Sequence, residues 1–169
     1  MNRFEAISPS SIDRILDRIG KDWMLISASD GTRTNTMTAS WGCMGVLWNK
    51  PVAVCFIRPQ RYTYEIVEAS NHLTLSFFDG NYRDALTYCG RNSGRNNDKF
   101  GQAGLTCTYT EEGVPYPDEA SLVLVCSKLY ADDLEKSAFI DPSLLSNYTA
   151  DDFHRMYICE IEQVLSKKA

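Results

Sequence analysis

The chain has 169 residues, of which 44% are hydrophobic and 23% charged, with a formal net charge of -5 and a pI near 5.0. This is the composition of one folded domain spanning residues 1–169, and it excludes a disordered chain. The acidic balance excludes general affinity for nucleic acid or anionic membranes, so a phosphate site must be a local basic pocket.

The segment Met1 to Gly20 carries Glu5, Asp13 and Asp17 among its apolar residues, unlike a signal or transit peptide. No apolar run approaches the roughly 20 residues that span a bilayer, so a soluble, cytoplasmic protein is expected. Ser8-Pro9-Ser10-Ser11 precedes Ile12, Ile15, Leu16 and Ile19 at helical spacing, with Gly20 behind them, which predicts a short amphipathic helix. Trp23 to Ser29 and Asn35 to Ser40, joined through Asp30-Gly31, read as a hairpin. Val52 to Ile57, between Pro51 and Pro59, suits a strand buried on both faces. A helix over Thr63 to Ser70 and a strand over Leu73 to Phe78 follow, ended by the turn Asp79-Gly80.

Tyr82, Ala85, Leu86 and Cys89 recur at helical spacing after an Asn81 cap, and Gly90 closes that helix. Leu105, Cys107 and Tyr109 alternate with threonines, and Ser121 to Tyr130 is a long apolar strand. Asp141-Pro142 starts a short helix, and Arg155 to Leu165 forms a last extended run. Six or seven strands with a few short helices are too few crossovers for a doubly wound sheet. The fold class is therefore mainly β with short helices, a small closed or split β-barrel.

Several chemistries lack their signatures. The chain has no G-x-G-x-x-G after a strand, no P-loop, no H-E-x-x-H and no G-x-S-x-G. Its two histidines, His72 and His154, and the absence of a Cys/His cluster leave no zinc site. The six cysteines contain no C-x-x-C pair and are expected as reduced, mostly buried thiols, Cys43 included.

Two stretches carry the positive signal. In Asn35-Thr36-Met37-Thr38-Ala39-Ser40-Trp41-Gly42 the hydroxyls of Thr36, Thr38 and Ser40 share one face of a strand, which either lines a polar site or faces water. In Ile57-Arg58-Pro59-Gln60-Arg61-Tyr62-Thr63 two guanidinium groups precede a helix start, where hydroxyl and backbone N–H groups favour an anion. The alternative for Arg58 and Arg61 is pairing with Glu65 and Glu68.

These paired motifs resemble those of the flavin reductase-like family, the FMN-binding split barrels, and especially its flavoredoxin-like branch. The resemblance implies that Met37, Thr38, Ala39, Ser40, Trp41 and Gly42 pack against the isoalloxazine ring of FMN, and that Arg58, Arg61 and Thr63 surround its phosphate. Ser93-Gly94-Arg95-Asn96-Asn97-Asp98-Lys99-Phe100 reads on its own as a solvated loop of turn formers, and it resembles a loop of the same family, which implies either that Arg95 and Lys99 reach the cofactor or a nicotinamide phosphate or that the loop lies across a dimer interface. His154 falls where many two-component flavin reductases carry Gly-Asp-His, although this chain reads Asp152-Phe153-His154, and the alternative is a structural histidine at a strand end. By resemblance, the expected protein is a homodimeric oxidoreductase in which NADH or NADPH reduces the flavin beside a catalytic His154. The alternative is a flavoredoxin-type module that exchanges electrons with a protein partner. Trp41, Trp48 and Tyr64 are candidates for contact with the ring, core packing being the other reading.

Overall fold

The computed structural model describes residues 3–168. Its centre is an eight-stranded antiparallel sheet in the order β3-β2-β6-β9-β10-β5-β4, with β1 added on β10. The strands are β1 (Phe4–Ile7), β2 (Met24–Ser29), β3 (Thr34–Ala39), β4 (Gly42–Leu47), β5 (Lys50–Ile57), β6 (His72–Phe77), β9 (Leu122–Asp133) and β10 (Arg155–Lys167). A small ribbon of β7 (Cys107–Tyr109) and β8 (Pro115–Pro117) stands apart. Strand β10 forks the sheet: on one edge it runs along β9, while on the other its first half pairs with β5 and its last residues with β1.

Alternation along the strands separates two cores. Met24, Ile26 and Ala28 of β2 join Ile57, Leu75, Leu124 and Tyr157 in the larger one, whereas Leu25 and Val123 point the opposite way. Over that second face lie helix α3 (Arg83–Arg91), through Leu86 and Cys89, and helix α4 (Lys99–Gln102), through Phe100. Helix α2 (Tyr62–Ala69) buries Ile66 and Val67 in the larger core.

The expected hairpin is present, with Asp30 Oδ1 accepting from the N–H groups of Thr32 and Arg33 at its turn. The strand expected at Val52 to Ile57 is β5. Several readings need correction. The N-terminal helix is broken: a 3-10 turn at Pro9–Ser11, a single α turn, α1 (Ile15–Asp17), and a wider turn at Arg18–Asp22 replace it. Arg14 adopts a left-handed φ of 52° between the first two, which a continuous helix forbids, and Leu16 lies 90% exposed. Gly90 lies inside α3 instead of closing it, and the residue at its N-cap is Tyr82, not Asn81. Asp141 does cap its helix, which is a 3-10 turn over Pro142–Asn147.

All six cysteines are free thiols, but Cys43 is exposed, because β4 is an edge strand with one side open. Gly42 begins that strand so close to its neighbour that a Cβ there would lie 2.7 Å from the Val54 carbonyl oxygen. Gly42→Ala is therefore expected to lower stability by about 1–3 kcal/mol, since the contact is backbone and cannot swing away. Chemical denaturation of the variant checks this, and an unchanged midpoint would show that the β4–β5 ladder yields freely.

Candidate functional site

The site grows from the end of β3. Residues Met37 to Trp41 line one wall of an open cavity of about 400 Å³, and Phe56, Arg58 and His154 line another. Helix α3 closes the third side with Leu86, Thr87, Gly90 and Arg91. Thr38 Oγ1 donates to the Leu86 carbonyl at 2.5 Å and ties strand to helix. The three hydroxyls of β3 do not act alike. Thr36 is fully buried, donating to the Ile26 carbonyl and accepting from Ser27 Oγ, while Thr38 and Ser40 border the cavity. Gly42 lies behind the wall and lines neither this cavity nor the next.

A second, smaller and polar pocket of about 170 Å³ adjoins the first, and Arg61 and Arg91 line both. Asn35 from β3, Thr63 from α2 and Lys99 from α4 converge there. Arg61 is the N-cap of α2 and supplies no side-chain cap, so the first-turn N–H groups of Tyr62 and Thr63 keep their affinity for an anion. Thr63 is buried and its Oγ1 accepts from Asn35 Nδ2 at 3.0 Å, which leaves its own hydroxyl proton to be donated elsewhere. A Cβ on Gly94 would overlap the Asn35 side chain, so that loop position needs glycine for the pocket to keep its shape.

Lys99 is only 3% exposed, and among the described residues its ammonium has no hydrogen bond or ion pair. Burial, with the Arg61 charge nearby, holds its pKa down to about 8. Burial and Arg58 likewise lower the pKa of Arg61, whose Nη1 donates to the Gly90 carbonyl at 2.8 Å and to no carboxylate. Arg95 does not enter the pocket. It pairs with Glu65 and lies over the Tyr62 ring, which pins the loop against α2.

The structure separates the two arginines of the second motif. Arg58 sits on the wall of the large cavity, where Asp152 pairs with it at 2.5 Å and the Asn147 carbonyl accepts a second hydrogen bond at 2.9 Å. Neither arginine pairs with Glu65 or Glu68. Glu65 serves Arg33 and Arg95, and Glu68 accepts from Arg155 and Tyr157.

His154 directly precedes β10, is 8% exposed, and is flanked by Trp41 at 5.2 Å and Phe56 at 6.4 Å between ring centroids. Burial first, then the Arg58 charge, lowers its pKa to about 4, so the imidazole is neutral at physiological pH. Trp41 is at the cavity wall and 46% exposed; Trp48, at the β4–β5 turn, and Tyr64, packed against the larger core, lie elsewhere. Trp23, Phe56 and the inner side of α3 line the site without any sequence pattern that selects them, and Asn35 opens the first motif without a role assigned to it there. Their only sequence signal was an apolar or turn-forming character shared with the core and the loops.

The arrangement offers a ring-sized slot with polar and aromatic walls, continuous with a polar pocket that holds buried positive charge. No helix among the described residues is long and apolar enough to cross a membrane, and none of their His, Cys, Asp and Glu side chains form a metal-holding group. No curated protein is a significant match to the sequence. Among solved structures, the chain is similar to an FMN-binding domain of a flavin reductases-like enzyme from Shewanella baltica OS155, with TM-score 0.71 and 16% identity over 98% of this chain and 78% of that one. It is also similar to flavoredoxin from Methanosarcina acetivorans, with TM-score 0.67 and 22% identity over 87% and 69% of the two chains. A third similar structure is the NADH:FAD oxidoreductase SgcE6 of Streptomyces globisporus C-1027, with TM-score 0.67 and 16% identity over 96% and 86%. The fold these likenesses share is the flavin reductase-like split β-barrel, mainly β with short helices. Residues 16–168 match the family described as flavin reductase like domain, and the chain belongs to that family.

Proposed function

We propose that this protein is a single-domain FMN-binding oxidoreductase that passes electrons from NADH or NADPH through the flavin. The observation that carries the reading is Lys99, a residue only 3% exposed whose ammonium has no protein partner among the described residues, lining with Arg61 a pocket that adjoins the ring-sized cavity. An unpaired buried cation is costly, and a bound phosphate is the partner that removes the cost. Lys99, Arg61 and Thr63 would hold the FMN phosphate, with Asn35 fixing Thr63. Met37, Thr38, Ala39, Ser40 and Trp41 would border the ring, Gly42 supporting them from behind. Arg58, already neutralised by Asp152, would contribute to the wall beside the ring and not to the phosphate. Bound there, FMN supplies the capacity to accept a hydride and to release electrons singly or in pairs.

The chain's own tasks are then to bind, orient and exclude water, which is why no acid–base dyad is needed. His154 stands on the cavity wall as a neutral side chain and would orient the donor. Activity in the cytoplasm and homodimerisation belong to the same proposal. The second is supported by Val46 and Leu47, exposed on the open edge strand β4, and by Trp48, exposed in the turn that follows it. The half-exposed Trp41 at the cavity wall favours a second reading, a flavoredoxin-type module whose redox partner is a protein. Anaerobic mixing of FMN-loaded protein with NADH and with NADPH tests the first reading. Bleaching of the flavin absorption by either nucleotide is expected. An unbleached flavin that is still reduced by dithionite would rule the donor out and leave the electron-transfer module.

A further inference from the structure

The 21 residues between β9 and β10 form a strap, residues 134–154, that ends at the cavity wall, and their packing has a chemical consequence for His154. Its base is closed by the Leu134 N–H donating to the His154 carbonyl at 2.9 Å. Arg58 holds the strap through Asp152 and the Asn147 carbonyl, and Gln60 donates to the same Asp152 carboxylate at 2.7 Å. Within the strap Tyr148 stacks on Phe153 at 4.7 Å and meets the edge of Phe139 at 5.8 Å. Tyr148 is thus 8% exposed in aromatic surroundings, with the Arg58 guanidinium 5.1 Å over its ring.

The Tyr148 hydroxyl lies 2.9 Å from His154 Nδ1, and this is its only hydrogen bond among the described residues. Two arrangements satisfy that distance, and they are unequal. If Nδ1–H donated, the single phenolic proton would be left without an acceptor among aromatic rings, the costly case of a buried unmade hydrogen bond. If the phenol donates, both groups are satisfied and the imidazole proton resides on Nε2. Among the described residues, the one fully buried side-chain polar atom without a partner is Ser76 Oγ. His154 Nε2, which also has no protein partner, therefore reaches open space, and the cavity is the space that His154 lines. We infer that Tyr148 is a positioning residue for the proposed electron transfer: its hydroxyl donates to His154 Nδ1 and holds Nε2–H toward the cavity, as a hydrogen-bond donor to a carbonyl or carboxamide oxygen of the electron donor.

The inference rests on the proposed nicotinamide-dependent reduction for its kinetic consequence, but not for the tautomer. The chain has two histidines, so a His72→Gln background leaves His154 as the single imidazole for nitrogen-15 NMR of the FMN-loaded protein. A protonated Nε2 and an unprotonated Nδ1 are expected, and Tyr148→Phe in that background should give a mixture of tautomers. The same variant should keep FMN affinity within about twofold and slow flavin reduction at saturating NADH or NADPH by about tenfold, a loss of orientation and not of binding. A protonated Nδ1 in the parent overturns the inference. So does a Tyr148→Phe reduction rate equal to the parent's. If neither nucleotide reduces the parent, the nicotinamide reading fails, while the NMR tautomer still decides whether Tyr148 sets the proton on Nε2.

Discussion

Lys99→Met is expected to make the cofactor-free protein more stable by about 1–3 kcal/mol at neutral pH while weakening FMN binding at least tenfold. Burial holds the folded-state pKa of Lys99 at about 8, below the unfolded value of about 10.4. Between those values the unfolded chain binds the extra proton, so the cost of charging Lys99 is in full force below pH 8 and fades as pH rises toward 10. A difference of that size corresponds to about 3 kcal/mol, of which methionine should recover a part. The stability gain of the variant should therefore shrink as the pH is raised from 8 to 10. Bound phosphate reverses the balance by giving the ammonium a partner, so parent FMN affinity should fall as pH rises through 8. Urea denaturation of both proteins without cofactor, repeated across that pH range, checks the argument. A variant less stable than the parent at pH 7 would mean that Lys99 is already well served by the fold.

A buried lysine of this kind is what sequence reading handles worst. Ser93 to Lys99 is written in turn-forming and charged residues, which predicts a solvated loop. Lys99 is buried because Asp98 caps the short α4 helix and turns the chain inward, a tertiary event with no local period. The sheet was more legible. The Asp30-Gly31 turn signal after an apolar run makes the β2–β3 hairpin plain, and β5 stands out as an apolar run between prolines. Strand β4 has no signature in the sequence, because Gly-Cys-Met-Gly-Val-Leu has no apolar alternation and its turn uses Trp48 and Asn49 at φ 52° and 58° in place of glycine. The long strands β9 and β10 are legible as apolar extended runs, but their role in splitting the barrel depends on register between residues more than twenty apart. Likewise Arg58 and Arg61 look equivalent three residues apart in sequence. Asp152, 94 residues from Arg58, is what makes them different.

That difference sets the second large effect. Arg61→Ala combined with Thr63→Ala should weaken FMN binding on the order of 100-fold and leave riboflavin affinity nearly unchanged. A hydrogen bond to a charged group contributes about 1.5–3 kcal/mol and a neutral one about 0.5–1.5, and each 1.4 kcal/mol is tenfold. With an ionised phosphate as acceptor, both Arg61 and Thr63, whose proton is freed by the Asn35 hydrogen bond, supply the first kind, so the lower end for the pair is about 3 kcal/mol. Because Thr63 is buried, the double variant should also lose some stability, so affinities are to be compared at a temperature where both proteins are folded. Arg58→Ala provides the contrast. Its guanidinium is engaged by Asp152 and Asn147, so the variant should loosen the strap and affect both flavins alike. Equal losses for FMN and riboflavin in the Arg61/Thr63 variant would assign those residues to the fold.

The claim on which the account depends is that the small pocket around Lys99 reads a terminal phosphate. Calorimetric titration of the cofactor-free parent protein with FMN and with riboflavin, in a buffer without phosphate at pH 7, addresses it without any substitution. The account predicts that FMN binds at least about 100-fold more tightly, the difference residing in two or more charge-assisted contacts. Equal affinities for the two flavins would contradict it.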